Sequence, residues 1–227
     1  MNITPDTTIF WAFGMFKINL TMVYTWVIMA LLGIGSWWVT RRLSKDTTIP
    51  FWQNVLETIL LFIRDIIKET TRHKTDAILV FAGTLFLFVA VANILSVIPG
   101  YTAPTGSLST TAALALCVFV AVPAFGISHM GLKNYLGNYL RPTIIMLPFN
   151  IIGEISRTLA LAVRLFGNMM SGTMIGAILL LVIPLIFPVL MQLLGLLTGV
   201  IQAYIFAVLA IVYIASGMEV QTQEKKR

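Results

Sequence analysis

The run DAILVFAGTLFLFVAVANILSVI, residues 76–98, carries no charge after its first residue. A helix that crosses a bilayer needs about 20 mostly apolar residues, and this run is long enough. In hydrocarbon every backbone N–H and C=O must be paired within the segment, so such runs become helices. Residues 19–40 and 108–130 read the same way, and two longer apolar stretches cover 143–183 and 187–220. The expected fold is an all-α polytopic membrane protein with about five membrane helices. Composition agrees: 58% of residues are hydrophobic and 11% are charged, against about 25% charged in soluble domains. Residues 19–227 read as a single membrane domain, with no soluble domain, internal repeat or low-complexity tract.

Charge placement sets the expected orientation. The first span ends in Trp37 and Trp38, followed by Arg41, Arg42 and Lys45. Aromatics followed by cations mark a cytoplasmic exit, which puts residues 1–18 outside as an N-terminal external segment. Residues 50–72 alternate differently. Val55, Ile59, Leu60, Phe62, Ile63, Ile66 and Ile67 recur at helical spacing, while Glu57, Arg64, Asp65, Lys68 and Glu69 fill the other side. That pattern predicts an amphipathic helix on the cytoplasmic surface, against lipid or against a soluble partner. The run 76–98 then crosses outward, Pro99-Gly100 breaks it, and PGYTAPTGSLST (99–110) forms an uncharged loop. Lys133 and Arg141 place 129–142 back in the cytoplasm, and the basic tail QTQEKKR ends there too.

The net charge of +6 does not call for nucleic acid, because the basic residues gather where anionic headgroups would meet them. The single cysteine, Cys117, lies in an apolar run, so an internal disulfide is ruled out. No metal-ligand spacing and no cleavable signal peptide are evident, and no GxxxxGK[ST] loop is present, so any nucleotide chemistry must belong to a partner. No metal or cofactor is expected on this chain.

The two longest stretches exceed a perpendicular span. Pro184 and Pro188 punctuate the bend between them, so they read as a hairpin of long, strongly tilted helices. The first carries Asn150, Glu154, Arg157, Arg164, Asn168 and Ser171, at steps of 4, 3, 7, 4 and 3. Those steps keep one face of a helix. A narrow polar stripe on an apolar helix must face protein or water. Arg164 is its costly member, since a guanidinium keeps its proton at any physiological pH. At mid-bilayer the charge costs from roughly 3 to more than 10 kcal/mol. Glu154 and Arg157 can neutralise each other, but no acid lies within four residues of Arg164. Either amides such as Asn168 and Gln202 satisfy it, or its carboxylate partner sits on another polypeptide. The last helix places Thr198, Gln202 and Tyr204 in an apolar field, and Gly195 and Gly199, four apart, permit close helix approach.

The run LAVRLFGNMMSG (161–172) with IQAYIFAVLAIVYI (201–214) resembles the subunit a family of the F-type ATP synthase membrane sector. APTGSLSTTAALAL (103–116) and PFNIIGEISRTLALAVRLFGN (148–168) fit the same family. The resemblance implies a stator holding two offset ion half-channels against a rotating c ring, each c subunit bearing a mid-membrane carboxylate. It also implies peripheral-stalk b subunits as partners, a catalytic head reached indirectly, and a prokaryotic plasma (inner) membrane. Arg164 matches the family's essential arginine, supported by Gln202 and Asn168. The resemblance would thus deliver the missing counter-ion by rotation.

Departures from the family pattern bear on the ion. Positions where many members carry a relaying acid and imidazole hold Thr173 and Gly195, and Ser107 replaces a frequent loop acid. The expected outer path is neutral: Asn93, Ser107, Ser109, Thr110, Thr111 and Thr173, with Ser171, Thr198 and Tyr204 as further lining candidates. Glu154 would line the cytoplasmic side, and Arg157 and Asn150 are further half-channel lining candidates. Hydroxyls and amides suit an alkali cation that prefers oxygen ligands. The GEISRTLALAVRLFGN wording also resembles the N-type branch associated with sodium, so Na⁺ is favoured over H⁺ as the transported cation. The competing reading is a standalone secondary transporter or channel, against which stands the lack of an internal repeat. A membrane assembly factor without an ion path is a third, weighed against by Arg164 and its stripe. Co-purification with a ring and a catalytic head separates the first reading from the others.

Overall fold

The computed structural model describes residues 9–13, 16–41, 51–70, 76–98, 100–132, 135, 137, 146–182 and 187–219. Residues 1–8 of the expected external segment, Arg42, Lys45, Lys133, Arg141, Pro184 and the tail 221–227 lie outside them. Six helices make up most of the described chain: α1 (Leu20–Arg41), α2 (Phe51–Thr70), α3 (Asp76–Ile94), α4 (Leu108–Met130), α5 (Met146–Val182) and α6 (Phe187–Glu219). Five of them are long and apolar enough to cross a membrane; α2 is the exception.

Two details differ from the expectation. Part of the N-terminal segment pairs as two short antiparallel strands, β1 (Ile9–Phe13) and β2 (Phe16–Asn19). The β-rich run IFWAF supplies the aromatic and branched residues that favour pairing. α3 ends at Ile94, well before Pro99, and tightens into a 3-10 turn over Leu95–Val97. Gly100 takes a φ of +87°, a left-handed turn conformation open to glycine.

α3 and α6 form the centre. The inward face of α3 runs Ile78, Ala82, Leu85, Val89 and Ala92, all buried, at alternating steps of 4 and 3. The buried face of α6 is rich in small residues, Ala203, Ala207, Ala210 and Ala215, which let helices approach closely without a hydrophobic drive from lipid. One core cluster joins Leu85 and Val89 of α3, Ala115 and Val118 of α4, Leu161 and Leu165 of α5, and Ala203, Phe206 and Ala210 of α6. The second joins Ile63 and Ile67 of α2, Ile78 and Ala82 of α3, Ala121 and Val122 of α4, and Ile211, Ile214 and Met218 of α6. Phe81, Phe86 and Tyr213 border both clusters and make them continuous. Ile59, Ile63, Ile66 and Ile67 of α2 are therefore packed on the bundle, while Leu60 and Phe62 of its expected apolar face, with Leu61, are exposed, as are its charged residues Glu57, Arg64, Asp65, Lys68 and Glu69.

α1 is attached mainly near its start. Thr21 and Ile28 are its buried residues among those described. The Tyr24 hydroxyl donates to the Gly100 carbonyl at 3.4 Å, and its ring stands edge-on to Tyr101 at 4.9 Å.

α5 and α6 run antiparallel. Asn168 meets Thr198 near one end, and Arg157 meets Tyr213 nearer the other. At 37 and 33 residues, the two helices are about 55 and 50 Å long, against a hydrocarbon core of about 30 Å. Packing along them is uneven. No described residue of α5 beyond Leu165, and none of α6 before Gly199, is buried. The fold is thus held on one side of the Arg164 level and open on the other.

Candidate functional site

The polar stripe of α5 runs along the rim of its buried face. Leu161, Ala162 and Leu165 are buried, and Arg157 and Arg164 flank them in exposed positions. Asn150 and Ser171 are also exposed, and Glu154 and Asn168 are half-buried. The stripe is therefore at the seam where α5 meets α6. Along that seam the Arg157 guanidinium sits 5.8 Å from the centre of the Tyr213 ring. That placement is a cation–π contact. Farther along, Asn168 Nδ2 donates to the Thr198 carbonyl at 3.3 Å. Four residues on from each member of that pair, in opposite chain directions, are Arg164 and Gln202, so the antiparallel register brings them to one level.

Arg164 has no hydrogen-bond or ion-pair partner among the described residues. Gln202 is buried at 5% exposure, and its Nε2 has no hydrogen-bond partner among them. An unpaired buried amide donor costs about 1–3 kcal/mol. One level of the hairpin thus carries both a permanent cation and an unspent donor.

Beyond that level, α5 and α6 diverge around a cavity of about 720 Å³. Asn168, Ser171 and Thr173 of α5, Thr198 of α6, and Tyr101 and Thr102 of the loop supply its polar wall, with Met169, Met170 and Met191 on the apolar side. Gly195 leaves its wall open, with nothing within 4 Å of where a Cβ would stand. Among the described residues, no carboxylate or imidazole lines the cavity. Burial, with the Tyr24 phenol adding to it, pushes the Tyr101 phenol far up, so it stays protonated, and its hydroxyl has no hydrogen-bond partner among the described residues.

The other sequence candidates sit elsewhere. Asn93, Ser107 and Thr111 are buried in protein rather than on the cavity wall. The Ser107 and Ser109 hydroxyls share a hydrogen bond of 2.7 Å at the start of α4. Thr110 is half-buried beside them, and Thr111 donates to the Leu108 carbonyl at 3.1 Å. Tyr204 turns toward α2, its ring 5.7 Å from that of Phe62. The sequence reading missed Tyr101, Thr102 and Gln192 on the cavity and the buried Thr105. Gln192 had a signal, because Gln192, Gly195, Gly199 and Gln202 repeat at 3, 4 and 3 along one face of α6. The loop residues had none, since their placement depends on packing against α1 and α5.

The helices and seam define a polytopic membrane protein built on a long helical hairpin, with an exposed arginine that has no ion-pair partner among the described residues. Residues 22–215 match the profile of the ATP synthase A chain family, and the chain belongs to that family. It is 62% identical over 220 residues to the protein named ATP synthase subunit a 2 of Acaryochloris marina, covering 97% of this chain and 94% of that one. It is 59% identical over 227 residues to ATP synthase subunit a 2 of a Picosynechococcus species, with 100% and 97% covered. It is 58% identical over 216 residues to ATP synthase subunit a of Nitrosospira multiformis, with 95% and 86% covered. The chain is a membrane-sector subunit with no catalytic site of its own.

Proposed function

We propose that the chain is the stator against which a ring of c subunits turns, and that Arg164 is its essential group. The observation that carries the reading is the exposed, acid-free Arg164 at the level of an orphaned Gln202 donor. A carboxylate that arrives on a rotating partner would neutralise the guanidinium and accept from the amide. Loss of its bound cation is favoured there, because a permanent positive charge stabilises the ionised carboxyl. The same charge repels a cation seeking a straight path across the membrane. Sharing the carboxylate between Arg164 and Gln202 keeps the pair from becoming a permanent salt bridge.

In this reading the cavity beside Asn168, Ser171, Thr173 and Thr198 is the access path on the non-cytoplasmic side. Glu154, Arg157 and Asn150 border the path on the other. The N-terminus lies outside, the C-terminus lies in the cytoplasm of a prokaryotic cell, and the charged face of α2 meets the peripheral stalk. Gln202→Leu is expected to leave the complex assembled and to slow ATP-driven ion transport roughly tenfold, equivalent to one hydrogen bond to a charged group. Transport in proteoliposomes, normalised to assembled complex, checks it.

Sodium is the favoured ion because the described cavity wall offers hydroxyl, amide and carbonyl oxygens and, among the described residues, no carboxylate or imidazole relay. ATP hydrolysis by the reconstituted complex at neutral pH should rise with Na⁺ from micromolar to millimolar. Activity indifferent to Na⁺, with acidification collapsed by uncouplers, would assign the path to protons.

A further inference from the structure

Asn93 is fully buried, and both ends of its amide are engaged. Nδ2 donates to the Gly199 carbonyl of α6 at 2.8 Å, and Oδ1 accepts from Thr105 Oγ1 at 2.7 Å. A Cβ placed on Gly199 would stand 2.8 Å from the Asn93 Cβ, and its three nearest contacts all belong to Asn93. α3 and α6 reach this separation because position 199 has no side chain.

The neighbouring carbonyl, that of Thr198, accepts from Asn168 of α5. Two amides from two helices therefore hold successive carbonyls of α6. On the cavity side of this grip Thr198 Oγ1 shares its proton between the carbonyls of Leu194 and Gly195, at 2.9 and 3.2 Å. Such back-bonding bends helices and competes with their ladder. Gly199 is also the first buried residue of α6 among those described, and Gln202 follows one turn later.

We propose that Asn93 is a positioning residue for ion transfer. Its bond to Gly199 sets the rotation and depth of the α6 turn that carries Gln202. Through Thr105 it ties that turn to the loop whose Ala103 and Gly106 line the cavity. Asn93 contacts no ion in this role; it fixes the distance between Gln202 and Arg164 that the arriving carboxylate must fit. The inference rests on the stator reading above.

The test uses the whole complex in proteoliposomes and reads ions moved per ATP hydrolysed, alongside the amount of assembled chain. Asn93→Ala and Gly199→Ala should each lower that ratio by about threefold or more, within the range of coupling between contacting residues. The double variant should be no worse than the worse single, because both break one contact. A purely structural role would reduce the assembled amount and leave the ratio unchanged, which overturns the proposal. So would losses that multiply in the double variant. If Asn93→Ala prevents assembly, Asn93→Ser, which is too short to reach Gly199, takes its place with the same two outcomes. Arg164→Ala is run in parallel. Retained coupling in Arg164→Ala sinks the stator reading itself; lost coupling there, with an unchanged ratio in the Asn93 variants, sinks this inference alone.

Discussion

Arg164→Ala is expected to abolish ion-coupled ATP synthesis and ATP-driven transport while the chain still inserts and assembles. Arg164 is exposed at the rim of α5 and makes no hydrogen bond or ion pair with a described residue. Its removal therefore leaves no cavity and orphans no donor or acceptor in the fold. In the proposed stator, what is lost is the cation that an incoming carboxylate would meet. Removing one partner of a desolvated ion pair costs about 3–5 kcal/mol, so the coupled rate should fall about 100-fold or more. Arg164→Lys should fail as well, because an ammonium lacks the planar fork that serves a carboxylate and an amide oxygen together. Coupled synthesis in vesicles, with blotting for the inserted chain, checks both; wild-type coupling in either variant would end the assignment.

Phe206→Ala should give the opposite signature. Phe206 is fully buried and is the largest side chain of the cluster that joins α3, α4, α5 and α6. In a bilayer these helices are held by packing rather than by a hydrophobic drive, so the contacts a ring makes are lost outright when it is removed. A Phe→Ala change in a packed core costs about 3–5 kcal/mol. The expected result is a several-fold loss of assembled chain, with normal ion movement per ATP in the fraction that assembles. Quantifying the chain in purified complex and measuring that ratio separates the two variants. A stable, fully assembled Phe206→Ala complex would mean that the inter-helix core is not what holds the hairpin.

The helices were legible because a bilayer leaves an apolar run of 20 residues little choice of conformation. α4 starts and stops within a residue of the expectation for that reason. The strand pair at Ile9–Phe13 and Phe16–Asn19 was not legible, because short aromatic runs outside the spans pair only through a partner strand. The Arg164 stripe was legible as a period of 3.6 residues in one helix. What could not be read was which neighbour each polar group meets. Asn93 lies in a run otherwise apolar enough to span, and its two partners are 12 and 106 residues away. Ser107 and Thr111 look like a hydrophilic path in sequence, yet the turn at Pro104–Gly106 and the start of α4 fold them inward. Thr173, Ser171 and Thr198 fell on the cavity because they sit past the packed part of the hairpin, where side chains have room.

The uneven packing of α5 and α6 separates what keeps the protein folded from what an ion would touch. Buried residues end at Leu165 on α5 and begin at Gly199 on α6, and the cavity occupies the stretch between. Substitutions at Ser171, Thr173 or Gly195 therefore disturb little of the core, whereas their chemistry faces the cavity directly. A lineage can exchange hydroxyls for carboxylates there in single steps and keep a working bundle at each one. In the stator proposed above, ion preference would be evolutionarily cheap to revise, while the arginine beside the cavity would stay fixed by the ring of c subunits it faces.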